Sequence, residues 1–175
     1  GDGPQGLQPP NPPAAVADAE LARQRMPSEW YAIVTQGNME RFMPPFNSLS
    51  DRERWDVVAY AFSLGLPEAR LAQGQAVFEA NCASCHGQTG QGNGPEAAGL
   101  AVQPVDFANP EFMAGRSTNA FYEAVSQGMG ETMPAFSQLS EDDRWAVSEY
   151  VRWLTFATGQ AGELASHPHA TEIPA

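Results

Sequence analysis

The sequence predicts an all-α fold. Three observations carry that prediction. Apolar residues recur at helical spacing in several segments, Ser-led capping signals open two of them, and glycines close others. No stretch shows the alternation that a half-buried strand requires.

Taken in order, residues 1–17 are rich in Pro and predict an extended or irregular start. A helix is expected from about Ser28 to Gly37, which suits a left-handed C-cap. Ser50-Asp51-Arg52-Glu53 reads as a capping box opening a helix to about Leu64. Gly65-Leu66-Pro67 then marks a boundary between units. The next helix runs from Glu68 to about Asn81, with Leu71, Gly74, Phe78 and Cys82 on one face. Gly74 costs about 1 kcal/mol relative to Ala in an exposed helix, and a close helix crossing would account for it.

Residues 87–116 are dense in Gly and Pro and predict a long irregular loop. Such a loop is unusual unless something functional orders it. A helix from about Thr118 to Gln127 is closed by Gly128, and Ser140-Glu141-Asp142-Asp143 opens the last one. Its first-turn acids favour the helix dipole, and Val147, Tyr150, Val151 and Leu154 form its apolar stripe. After Gly159 periodicity is lost, so residues 159–175 read as an irregular tail.

Composition narrows the function. A chain of 175 residues, 42% apolar, makes one ordinary domain or two small ones. The formal charge of −12 repels a phosphate backbone, which excludes nucleic acid as a partner. It favours protein partners with a basic docking surface and also serves solubility. No apolar run approaches the ~20 residues of a membrane helix. The first thirteen residues lack the apolar core of a secretory signal, so any such signal is expected to have been removed or to lie upstream.

The chain has two Cys, three residues apart, and His follows directly: Cys82-Ala83-Ser84-Cys85-His86. This is the spacing of c-type haem attachment. Two thiols add across the porphyrin vinyl groups, and the adjacent imidazole, His86, becomes the proximal iron ligand. The competing readings are weaker. A redox Cys pair needs no His and prefers a βαβ setting. A zinc site would have to recruit His167 and His169 from the tail. A disulfide across two intervening residues would close a strained loop. The expected cofactor is one haem c per chain, with Phe107 of the long loop placed as a ring against it.

A helix, CASCH, a Gly-rich loop, Met133-Pro134 and a final amphipathic helix, in that order over residues 68–158, resemble a class I cytochrome c. The resemblance implies that family's fold, with helices wrapped around a covalent haem. It makes Met133, in the loop before the last helix, the distal ligand. It also implies that the carbonyl of Pro95, in Gly94-Pro95, accepts a hydrogen bond from the proximal imidazole, a contact that tunes ligand basicity. The helix bearing Gly74 would cross the last helix there, against an aromatic near Trp153. A periplasmic or otherwise extracytoplasmic location is implied too. Among the other methionines, Met113 reads as core filler, and Met129 rivals Met133.

Self-comparison addresses that rivalry. Residues 30–37, WYAIVTQG, answer 121–128, FYEAVSQG, at an offset of 91. At an offset of 90, Met43-Pro44-Pro45-Phe46 answers Met133-Pro134-Ala135-Phe136, and Leu49-Ser50 through Trp55 answers Leu139-Ser140 through Trp145. Met129 pairs with Asn38, whereas Met133 pairs with Met43, which favours Met133. Gly1-Asp2-Gly3-Pro4 answers Gly92-Asn93-Gly94-Pro95. Residues 1–66 therefore read as a partial, related unit without its haem-attachment motif, and residues 67–158 as the cytochrome domain. Three expectations follow: the chain is a fragment of a dihaem protein, a separate segment carries a second haem that Met43 ligates, or the first unit is a haemless platform.

With His86 and Met133 both bound, the iron keeps no open position. The expected work is electron transfer rather than enzymatic catalysis, as a carrier or as a subunit of a respiratory or photosynthetic assembly. The alternative is a haem whose Met is displaced, acting as a peroxidase or ligand sensor. A third reading makes residues 1–66 a docking module.

Overall fold

The structure is a computed structural model that describes residues 14–157. The Gly1–Pro4 correspondence and the tail histidines His167 and His169 lie outside these. Eight α-helices are assigned among the described residues: α1 Ala19–Gln24, α2 Pro27–Gln36, α3 Asp51–Ser63, α4 Glu68–Asn81, α5 Ala83–His86, α6 Pro110–Ala114, α7 Thr118–Gln127 and α8 Glu141–Ala157. Short 3-10 turns occupy Met39–Arg41 and Ala97–Gly99. No strand forms among the described residues, only the isolated bridges Asn38–Met43 and Met129–Met133.

The helix starts follow local chemistry. Ser50 Oγ accepts from the Glu53 N–H at 3.3 Å while the Glu53 carboxylate accepts from the Ser50 N–H at 2.7 Å, completing the expected box. At α8 the Ser140 hydroxyl accepts from the Asp143 N–H at 3.0 Å. At α2, Pro27 stands in the first turn and Glu29 accepts from the Met26 N–H at 2.9 Å.

Gly37 and Gly128 end their helices as expected, though Gly37 does not adopt the expected left-handed cap. Their φ/ψ pairs are 73°/179° and 75°/176°, a region essentially reserved for glycine. The extended ψ sends the chain straight into a folded-back loop. A Cβ on Gly128 would stand 2.6 Å from the Met133 carbonyl oxygen, and one on Gly37 would stand 2.6 Å from that of Met43.

Two apolar cores result. The larger gathers Phe78, Met113, Phe121, Val125, Val147, Tyr150, Val151 and Leu154, which includes the whole predicted stripe of α8 and places Met113 as filler. The smaller joins Ala22, Val34, Val58 and Phe62, with Trp30, Tyr31, Trp55 and Phe156 packed against it. Phe156 belongs to α8, so that helix serves both cores.

Helices α4 and α8 cross at Gly74, where a Cβ would collide with the Ala146 carbonyl and approach Tyr150 Cβ to 2.7 Å. Tyr150, stacked on Trp153 at 5.5 Å, is the aromatic at the crossing. Two elements were not anticipated: α1, and α6 inside the stretch 87–116. The Asn109 side chain caps α6, accepting from the Phe112 N–H at 3.2 Å. Helix α1 packs on α7 and ties the halves together. Its Arg23 donates to Glu149 of α8 at 2.8 Å, and Arg70 of α4 reaches the same carboxylate at 2.7 Å.

Candidate functional site

The CASCH run is a single helical turn that prolongs α4. Cys82 caps α4 with its N–H on the Phe78 carbonyl at 2.8 Å, and the His86 N–H reaches the Cys82 carbonyl at 2.9 Å. Carbonyls at the end of such a turn need partners. The following loop supplies them: Gly92 N–H to His86 O at 2.8 Å, Gly94 N–H to Cys85 O at 3.1 Å, and Glu96 N–H to Ser84 O at 2.9 Å. Both thiols and the imidazole are thus fixed on one rigid turn.

Burial pushes the Cys82 thiol up to about 11, with the Cys85 charge adding to the effect. At neutral pH Cys82 is a neutral thiol, unlike the activated thiolate of a redox-active Cys pair. Burial also holds the His86 pKa below its ordinary value, against a smaller opposing pull from the Val105 carbonyl. The imidazole is therefore neutral and available as a ligand. Its Nδ1 is buried without a hydrogen-bond partner. The ring of Phe107 stacks on it at 4.7 Å and 17°.

His86 opens onto a cavity of about 350 Å³. Phe107, Phe112, Phe121, Val125 and Val151 supply apolar walls, and Met129 and Met133 form part of the lining. The Met129 N–H donates to the Met133 carbonyl at 2.8 Å, and the Phe136 N–H donates to the Val125 carbonyl at 2.9 Å. These bonds pin the Met loop against α7. Met133 is half-buried and packs on the larger core, whereas Met129 is 61% exposed.

The structure therefore brings His86, Phe107 and Met133 to one cavity, with Cys82 and Cys85 on the same turn as His86. Pro95 is exposed and does not line the cavity, and the His86 Nδ1 bond to its carbonyl is not formed. Met43 packs on the smaller core instead. Two arginines near the cavity escaped sequence reasoning. Arg116 lines it, and Arg152, fully buried, donates to the backbone carbonyls of Arg116 and of Met113 behind the wall. An orphaned buried imidazole nitrogen, two thiols on the same turn and an apolar cavity bordered by a thioether fit a haem joined through both cysteines.

The family model of the cytochrome c oxidase, cbb3-type, subunit III matches residues 2–60 and 69–151. The chain belongs to this family. Cytochrome c-554(547) of Halothiobacillus neapolitanus is 34% identical over 86 residues, 47% of this chain and 94% of that protein. The cbb3-type cytochrome c oxidase subunit CcoP of Azospirillum sp. (strain B510) is 33% identical over 90 residues, 49% of this chain and 30% of the relative. The cytochrome bc1 complex cytochrome c subunit of Corynebacterium diphtheriae is 33% identical over 100 residues, 56% and 32% of the respective chains. The match thus spans about a third of the two complex subunits and nearly all of the small cytochrome.

Family and fold agree: the cytochrome has the all-α fold of a class I c-type cytochrome, binds haem c covalently and works in electron transfer. Among its described residues no helix is long and apolar enough to cross a membrane.

Proposed function

We propose that Cys82 and Cys85 would hold the haem by thioether bonds, that His86 and Met133 would ligate its iron, and that the cytochrome relays single electrons without catalysing a further reaction. The observation that supports this is the shared cavity, with the His86 imidazole and the Met133 thioether both in its lining. A haem supplies reversible one-electron chemistry when bound. The chain's own residues do the rest. Phe107, Phe121 and Val151 exclude water, and the pinned loop keeps Met133 in place in both oxidation states. Met ligation raises the potential relative to two imidazoles. The oxidised protein at neutral pH should show the Fe(III)–thioether charge-transfer absorption; without that band, a displaceable Met and a peroxidase or sensor become the better account.

Residues 1–66 form, in this reading, a unit related to residues 67–158. Its Met43 loop repeats the backbone of the Met133 loop, which makes Met43 a candidate ligand for a second haem not attached to this chain. The charge of −12 suits redox partners with a basic face. The CcoP and bc1 relatives are subunits of larger complexes, which supports a place in such an assembly, and their resemblance supports a periplasmic or other extracytoplasmic site. A basic-faced electron donor should reduce the protein faster at low than at high ionic strength; a salt-independent rate would remove the electrostatic part of this reading.

A further inference from the structure

Buried arginines are ordinarily matched by carboxylates. Arg152 of α8 is 1% exposed and forms no ion pair among the described residues. Its Nη1 donates to the Met113 carbonyl at 2.9 Å, its Nη2 donates to the Arg116 carbonyl, and its Nε reaches Thr118 Oγ1 at 3.5 Å. Its Cζ stands 4.8 Å from the Phe121 ring centre and 5.7 Å from that of Phe62. Glu149, which lines the same small crevice between the halves, is already held by Arg23 and Arg70.

Carbonyl dipoles and ring faces thus stabilise the guanidinium without cancelling its charge. Burial lowers its pKa to about 9, which still leaves it charged at neutral pH. The place of this charge matters. Phe121, Arg116 and the preceding residue Val151 all line the larger cavity, so the cation stands one layer behind its wall. Phe62, from α3, borders it on the other side. The first half of the chain therefore shields it from water.

We propose that Arg152 is a dry, uncompensated positive charge that raises the reduction potential of the haem in the larger cavity, and that the first half of the chain keeps it dry. This rests on the reading that the haem occupies that cavity. Adding an electron to the iron makes the haem one unit more negative, so a fixed nearby cation stabilises Fe(II) over Fe(III). In surroundings of low effective dielectric, one unit charge at such range changes the equilibrium by roughly tenfold. A buried charge also resists screening by salt, which separates it from surface cations such as Arg116.

The test is redox titration of the full holoprotein and its Arg152→Gln, Arg152→Met and Phe62→Ala variants at low and high ionic strength. Arg152→Gln keeps a donor for the two carbonyls, and Arg152→Met does not. Both should lower the one-electron reduction equilibrium constant about tenfold, or about 59 mV, at either salt level. A fall in Arg152→Met alone would assign the effect to the hydrogen bonds and overturn the proposal, as would values within threefold of wild type. Phe62→Ala, which leaves Arg152 in place, should lower the constant several-fold and make it salt-dependent. If the Arg152 variants fail to fold, this result decides: an unchanged constant overturns the proposal. Haem absent from the Cys82–Cys85 peptide in a digest would instead defeat the underlying reading.

Discussion

The stretch from α2 to α3 and the stretch from α7 to α8 use the same local devices. Each has a helix ended by a glycine near φ 74°, a Met-Pro loop bonded back onto that helix, and a Ser-capped helix to follow. The Phe46 N–H reaches Val34 O at 3.1 Å, as Phe136 reaches Val125 at 2.9 Å. Even the rings agree, with Tyr31 on Trp55 at 4.5 Å and Tyr122 on Trp145 at 4.1 Å. What differs is what faces the loop. Beside the later stretch, α4 and α5 bring His86 across from Met133 and a cavity opens between them. In the first, Met39 and Phe42 are 70% and 67% exposed, and Met43 settles on the smaller core. The two Met loops therefore share one backbone structure, and among the described residues only the later one faces a Cys-Cys-His turn across a cavity.

The comparison breaks most easily at the junction. Glu149 is the buried carboxylate on which Arg23 and Arg70 converge, so Glu149→Gln replaces their shared buried partner with a neutral amide and leaves them only the exposed carboxylates of Glu20 and Asp142. It should cost about 3 kcal/mol in denaturant unfolding, and the two halves should then unfold at separate midpoints. A single cooperative transition at the wild-type midpoint would show that the halves do not depend on this cluster. Next come the paired substitutions Gly37→Ala and Gly128→Ala. Each forces a side chain into a glycine-only conformation and should cost roughly 1–3 kcal/mol, but only Gly128→Ala should disturb the haem spectrum. Equal spectral changes would mean that both loops reach the same iron.

Smaller still, Met43→Ala should leave the spectrum of the haem at Cys82 and Cys85 unchanged and cost about 1 kcal/mol of stability, since its side chain is only half-buried. The smallest effect is electrostatic and involves both stretches. The Tyr31 hydroxyl lowers the pKa of Asp51, and the Gln73 amide, followed by Arg70, lowers that of Asp142. The native state binds protons more weakly at both, so their contribution is complete above the ordinary carboxylate value of 3.8 and lost as pH falls below it. An acid titration of Asp51→Asn and Asp142→Asn should show a slightly flatter loss of stability below that pH than wild type.

Much of this was legible in the chain because it is local. The CASCH spacing, the Ser50 and Ser140 caps and the stripe of α8 each follow from neighbours in sequence. Both glycine caps were placed correctly, but the left-handed cap read at Gly37 is not formed, because the extended exit is set by the Asn38 N–H reaching back to Met43 O, as Met129 reaches Met133 O, contacts outside the helix. Asn109-Pro110 carried a start signal for α6 that the Gly and Pro density around it obscured. Arg152 had no local signal at all. Its burial depends on Phe62, ninety residues earlier in the chain, and an arginine beside an apolar stripe ordinarily reads as solvated.

In the proposed function, the thioether serving the haem at Cys82 and Cys85 comes from Met133 and not from Met129 in the same loop. The most direct measurement is the Fe(III)–thioether charge-transfer absorption of the Met133→Ala and Met129→Ala holoproteins at neutral pH. The band should vanish in Met133→Ala and persist in Met129→Ala. A band that survives the loss of Met133 and disappears with Met129 would contradict the account.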